Sequence, residues 1–397
     1  MAIQLTGSGL DNIGINPSVD STGQFTALNT TTGNISITQD LNFSVGGTPK
    51  AQLNTSGNLK LLSETSAFKN SVDDAITPYA AFRNKIINGN FDIWQRATSQ
   101  TSHGYGSDDR WLNGSVGSTK THSQQAFALG QTAVPNNPTY YSRTVVTSVV
   151  GAANYIAKWQ NIEDVSKSSG KTFTLTFWAK ADANRNIAIE FYQHFGTGGS
   201  PSTEVRSIGV TTFALTTSWQ KFTTTVTFSS VSGKTLGTNN DDYYGVGFYF
   251  DAGSSLNSRT NSLGQQSGTF DIAQVQLEEG SAATPFESRP LAVEQVLCQR
   301  YYEKNFGISL FAVNGYSAAN GSGGAALWVS FAVTKRVAPS VTKVGTWIIN
   351  SVQAQPAVAG ITTGGCSLYA VGSATTTGCG WQTDSVDDGL TIDAELL

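Results

Sequence analysis

Between residues 172 and 250 three segments alternate apolar and polar residues strictly enough for their two faces to be told apart. In TFTLTFWAKA (172 to 181), Phe173, Leu175, Phe177 and Ala179 share one side, and Thr174, Thr176, Trp178 and Lys180 the other. In NIAIEFYQHF (186 to 195), Ile187, Ile189 and Phe191 face inward, leaving Glu190, Tyr192 and His194 outside. In DDYYGVGFYF (241 to 250), Tyr244, Val246, Phe248 and Phe250 form the inward set. Tyr243 and Tyr249 then point outward, with Gly245 and Gly247 leaving a trough between them. An outer surface bearing Trp178, Tyr192, Tyr243 and Tyr249 around a glycine floor offers flat rings to the apolar face of a pyranose. Glu190, Lys180 and Asp251 supply groups for its hydroxyls. The pattern predicts a saccharide site built from Trp178, Glu190, Tyr192, Tyr243 and Tyr249. The other fate open to these rings is cover by a loop or a neighbouring subunit.

Catalytic constellations are weaker. His103, His122 and His194 stand far apart without metal-ligand spacing, and no nucleophile elbow or phosphate loop follows a strand pattern. Paired carboxylates for glycoside cleavage need only meet in space, about 5 to 9 Å apart. Glu163, Asp164, Glu190 and Glu204 therefore keep a polysaccharide depolymerase open as an alternative to the expected non-enzymatic binder.

The elements that must hold these side chains are β-strands. Charged residues make up 13% of the 397, about half the usual share of roughly 25%, while Gly, Ser, Thr, Asn and Gln are abundant. That mixture suits short strands and tight turns. The predicted fold is mainly β and trimeric, in four parts. Residues 1–65 repeat short alternating units (TGQFTALN, TGNISITQ, LNFSVGG, PKAQLNTSGNLKLL) and read as a β-rich shaft too thin to bury a core alone. Residues 66–85 read as a helical linker, N-capped by Ser66, with a seam of Phe68, Val72, Ala75, Tyr79 and Phe82 that could bundle three copies. Pro78 limits it. Residues 86–289 read as an antiparallel β-sandwich, and 290–397 as a C-terminal β-rich tip domain opened by Pro290.

A net charge of −4 without a basic cluster excludes a phosphate-backbone footprint, so no nucleic-acid partner is expected. The N-terminus lacks the pattern of a signal peptide, and no run of about 18 apolar residues predicts a membrane span. Cys298, Cys366 and Cys379 read as reduced thiols.

Several runs then acquire a common meaning. NKIINGNFDIWQR (84 to 96), DRW (109 to 111), SGKTFTLTFWAKA (169 to 181), TTSWQKFTTTVTF (216 to 228) and FDIAQVQLEEGSAATPFESRP (270 to 290) resemble, in that order, a run found in bacteriophage tail-fibre proteins. That run is itself similar to jelly-roll carbohydrate-binding modules. CQRYYEK (298 to 304), FAVTKRVAPSV (331 to 341) and TIDAELL (391 to 397) resemble the domain that follows it in such fibres, and KAQLNTSGNLKL their shaft motifs. The resemblance implies a homotrimeric adhesin of the virion, assembled in the host cytoplasm. It would join other tail or baseplate proteins through its N-terminus and bind bacterial surface polysaccharide without a reaction. A purely structural baseplate connector is the alternative. The resemblance also implies a structural calcium ion tying first strand to last, with Asn90, Asp92 and Asp271 at the matching motifs. No other cofactor is expected.

Overall fold

The computed structural model describes residues 18–19, 25–27, 41–45, 48–53, 59–61, 82–306, 309–313, 324–350, 356–371, 379–385 and 387–396. It divides into two compact units, Met1–Ala81 and Phe82–Leu397. In the first, β1 (Ser18–Val19) pairs antiparallel with β2 (Phe25–Ala27). There β3 (Leu41–Val45), β4 (Thr48–Leu53) and β5 (Leu59–Leu61) form an antiparallel three-stranded sheet. Strands thus fall within three of the four repeat units. The predicted helix at 66–77 and its seam up to Tyr79 lie outside the described residues; Phe82 is exposed, and the backbone from 82 to 98 is irregular.

The second unit opens with a two-sheet antiparallel sandwich. Its strands are β6 (Ser99–Gln100), β7 (Leu112–Val116), β8 (Thr119–Ala126), β9 (Tyr140–Thr147), β10 (Tyr155–Glu163), β11 (Thr172–Ala181), β12 (Arg185–His194), β13 (Val205–Leu215), β14 (Gln220–Thr227), β15 (Tyr243–Ala252) and β16 (Gly268–Glu279). One sheet runs β13-β12-β15-β10-β7 and the other β14-β11-β16-β9-β8-β6. The chain therefore crosses between layers repeatedly.

The inward sets read from period two are the ones that meet. Phe173, Leu175, Phe177 and Ala179 of β11 join Ile187, Ile189 and Phe191 of β12 and Tyr244, Val246, Phe248 and Phe250 of β15 in one core. Phe177 stands edge-on to Phe248 across the layers, ring centroids 5.2 Å apart. The motif runs are scaffold. Phe91 stacks on Trp111 at 5.3 Å within the same core, and the 85–89 backbone runs along β16 through Lys85 N to Leu277 O (2.7 Å) and Val275 N to Gly89 O (2.8 Å).

Beyond the sandwich, a short helix α1 (Asn257–Thr260) sits in the β15–β16 connection, and α2 (Leu291–Gln299) follows Pro290. Three three-stranded antiparallel sheets come after: β17 (Tyr302–Phe306), β25 (Gly389–Asp393) and β20 (Ser340–Val344); β18 (Ser309–Val313), β24 (Cys379–Thr383) and β21 (Trp347–Asn350); β19 (Gly324–Ser330), β23 (Gly365–Val371) and β22 (Ala357–Ala359). They share a second, smaller core around Trp347, Cys366, Leu368, Leu390 and Ile392. Cys298 and Cys366 are free and buried.

The end of the chain packs back on the sandwich through charge. Arg96 reaches Asp393 at 3.1 Å and Glu395 at 3.3 Å, the buried Arg110 of DRW pairs with Glu395, and Arg300 holds Glu163 at 2.8 Å. Arg110 also lies over the Tyr301 ring at 3.3 Å. Pairing both charges with several partners offsets the desolvation that burial exacts.

Candidate functional site: a groove on the five-stranded sheet

The outer face of the β13-β12-β15-β10-β7 sheet gathers the aromatics. Tyr192 on β12 and Tyr243 at the start of β15 meet edge to face at 6.2 Å, and Tyr243 stacks on His194 at 4.6 Å. At the other end of the strands, Tyr249 stands against Trp159 at 5.8 Å, and Tyr155 against Trp159 at 5.6 Å. Cross-strand register explains why these rings lie down. Trp159 is paired with Gly247, and Tyr192 with Gly245. A Cβ on Gly247 would stand 2.4 Å from Trp159 Cδ1, and one on Gly245 2.5 Å from Tyr192 Cζ. The trough that glycine leaves is filled by neighbouring rings, which become its floor.

Above this floor is a cavity of about 210 Å³, lined by His103, Leu112, Tyr155, Trp159, Asn161, Tyr192, Arg206, Tyr243 and Arg259. Beneath it, Glu190 is fully buried and acts as an anchor. It accepts from Arg259 Nη2 at 2.6 Å, from Tyr249 OH at 2.8 Å, and from Arg206 Nη1 and Ser207 N at 3.4 Å. Burial lowers the Arg259 guanidinium more than any single contact raises it, but the hydrogen bond to Glu190 together with Coulombic attraction to Tyr249 and Glu190 outweighs burial and the pKa rises. Arg206 lies 4.3 Å over the Tyr192 ring and is held on its other side by Glu204 at 3.0 Å. Burial pushes the Tyr192, Tyr243 and Tyr249 hydroxyls upward, so all three are protonated donors at neutral pH.

Leu396 packs behind two of the lining tyrosines and bonds a third lining residue. Leu396 is buried in a cluster with Tyr192, Tyr243 and Tyr301, and its carbonyl accepts from Tyr105 OH at 2.8 Å and Asn161 Nδ2 at 3.0 Å. Asn161 Oδ1 in turn accepts from Tyr192 OH at 2.8 Å. The floor tyrosine is thus oriented through Asn161 by the C-terminal backbone. Cover of the outward rings, the second fate weighed from sequence, applies to this end of the face.

Of the five residues assigned to the saccharide site, four share this face and one does not. Trp178 is on β11 of the six-stranded sheet, opposite Lys221 and Ala273, so the sandwich thickness separates it from the others. Period two tells which side of a strand a residue is on and not which sheet the strand joins. Tyr192 and Tyr243 line the groove, whereas Glu190 and Tyr249 support it from below. Lys180 belongs with Trp178, and Asp251 is buried, accepting from Ser118 and Ser148 hydroxyls. Missed entirely were Trp159, Tyr155, Arg206 and Arg259. Trp159 was countable in YIAKWQNIE, but the inward set there, Ile156, Lys158, Gln160 and Ile162, includes Lys158 bound to Asp108 and so hides the alternation.

The predicted calcium set does not come together. Asn90 Nδ2 donates to Asp92 at 2.8 Å, but both oxygens of Asp271 are taken by Arg143 at 2.7 and 2.9 Å, with Lys180 at 3.6 Å. A cation already occupies the third ligand's place. No cluster of three His, Cys, Asp or Glu suited to a metal occurs among the described residues.

No family model matches the chain, and no curated protein matches it. Solved structures similar to it include a phage tailspike domain and carbohydrate-binding modules. The enzymatically active domain of tailspike protein 4 of bacteriophage CBA120 is 12% identical with a TM-score of 0.30, over 50% of this chain and 22% of that one. A family 11 carbohydrate-binding module of Clostridium thermocellum, in complex with a mixed-linked tetrasaccharide, is 12% identical with a TM-score of 0.28, over 47% of this chain and 98% of the module. A xylan-binding domain from Paenibacillus barcinonensis is 15% identical with a TM-score of 0.27, over 43% and 92%.

Proposed function

We propose that the chain is a non-enzymatic adhesin of a phage tail, trimeric, whose sandwich holds bacterial surface glycan in the groove over Trp159, Tyr192 and Tyr243. The observation that carries this reading is the groove itself: rings laid flat on cross-strand glycines, rimmed by hydrogen-bonding side chains, on the open face of a rigid sheet. The phage assignment rests on the ordered motif runs of the sequence. The absence of a reaction is supported by the carboxylates considered for cleavage, which are all engaged elsewhere. Glu163 is held by Arg300, Asp164 accepts from Ser166, Glu190 is bound by Arg259, and Glu204 by Arg206. Contacts in a single groove of this size are weak, and three copies per fibre raise avidity by roughly 10² to 10⁴.

The test is incubation of the purified full chain with a panel of bacterial surface polysaccharides, followed by pull-down and by sizing of the polysaccharide. Retention without shortening is expected. Shortening would replace the adhesin by a depolymerase, and no retention across the panel would leave a structural connector.

A further inference from the structure

The groove's unused hydrogen-bonding capacity is lopsided. Asn161 accepts from Tyr192 and donates to Leu396, and Tyr192 OH gives its proton to Asn161 and keeps only acceptor capacity. His103 Nδ1 accepts from Ser115 N at 3.2 Å, so a neutral ring keeps its proton on Nε2. Arg259 uses Nε and Nη2 on Glu190, and Arg206 uses Nε on Glu204 and Nη1 on Glu190. Their remaining nitrogens, Arg259 Nη1 and Arg206 Nη2, have no acceptor among the described residues. Trp159 Nε1 is buried and equally without one. The Trp159 Nε1 edge faces Gly247, so three donor-only groups point to a ligand, Arg206 Nη2, Arg259 Nη1 and His103 Nε2, against the Tyr155 and Tyr243 hydroxyls, which can both give and accept, and the Tyr192 oxygen, which can still accept. Among the described residues no carboxylate lines the groove.

A neutral sugar brings a donor with nearly every acceptor, because each hydroxyl is both. Such a ligand would leave several of its own protons unpaired against this lining, and each one buried without an acceptor weakens binding. A ligand that carries an oxyanion brings acceptors alone. Guanidinium groups fixed side by side by one buried carboxylate are suited to receive it, since their planar forks match carboxylate and phosphate geometry.

We infer that the groove takes an acidic saccharide, its oxyanion received by Arg206 and Arg259 while Trp159 carries the ring. The oxyanion is the carboxylate of a uronic acid or a phosphate ester. This rests on the saccharide reading of the groove and adds charge selectivity to it.

The test is saturation-transfer difference NMR on the full chain with sodium glucuronate, glucose 6-phosphate and glucose at constant ionic strength, repeated on Trp159→Ala and Arg206→Gln. Either acid is expected to bind about tenfold or more tightly than glucose, to lose its signal in Trp159→Ala, and to lose most of its advantage in Arg206→Gln. Whichever acid binds more tightly assigns the source. Glucose binding as tightly as both acids, with a signal that depends on Trp159, overturns the charge selectivity and leaves the saccharide site standing. No Trp159-dependent signal from any of the three overturns both. The comparison within the unmodified chain decides the matter even where Arg206→Gln fails to fold.

Discussion

The two outer faces of the sandwich carry similar residues and do different things. On the six-stranded sheet, Thr172, Thr174 and Thr176 pair with Thr227, Thr225 and Thr223 in rows, and Arg143 and Lys180 close on Asp271. Its aromatics either pack on one another, as Phe127, Tyr141 and Trp219 do at 4.7 to 5.3 Å, or stand alone, as Trp178 does beside Lys221. On the five-stranded sheet, glycines sit opposite the rings, so the rings recline and a hollow opens above them. Aromatic content does not distinguish a face that opens a groove from one that does not. The residue across the strand does.

The hardest blow to this comparison would come from the inside and outside of β11. Phe177→Ala empties a fully buried site between the sheets and is expected to cost about 3 to 5 kcal/mol in chemical denaturation. Its neighbour Trp178→Ala, half-buried on the threonine face, is expected to cost at most about 1 kcal/mol and to leave glycan retention unchanged. If Trp178→Ala abolished retention, the wrong face would have been chosen.

A second contrast sets Trp159 against Trp178. Trp159→Ala removes the main floor ring and is expected to weaken glycan binding about 30-fold, the scale of a hot-spot aromatic worth about 2 kcal/mol, with circular dichroism unchanged. Equal loss from both variants would show that retention follows stability and not the groove.

The smallest effect concerns pH. Burial, opposed by Arg96 and by the hydrogen bonds from Gln95, raises the Asp109 carboxyl to about 7. Between the ordinary carboxylate range and pH 7 the folded chain therefore holds a proton that the unfolded chain has released. The stability from this group is complete below pH 4 and is lost as pH rises through about 7. Thermal melts of Asp109→Asn should show a shallower decline between pH 5 and 8 than those of the unmodified chain, and parallel curves would remove Asp109 as the cause.

Much of the sandwich was legible because its strands are covered on one side by a large core, which enforces period two on β11, β12 and β15. The inward sets of those strands were all placed correctly. Pairing order was not legible: nothing in TFTLTFWAKA says that β11 joins β16 and β14 while β12 joins β15. Most of the groove escaped for a different reason. Arg206 and Arg259 matter only because Glu190 draws them together from 16 and 69 residues away. Such a clamp has no local signature. The bond from Asn161 to Leu396 is a more distant contact still, and the sequence treated that stretch as part of a separate tip.

That bond has a consequence in time. Asn161 and Leu396 are 235 residues apart, and a ribosome adding roughly 5 to 20 residues per second needs on the order of 10 to 50 s to make the stretch between them. For that interval the sandwich strands are available to pair while Asn161, which holds Tyr192, lacks the Leu396 carbonyl and Arg110 its carboxylate. The sheet and its groove lining are made early, so a nascent chain halted short of residue 395 carries the rings without the Glu395 carboxylate and the Leu396 carbonyl that hold Arg110 and Asn161 behind them.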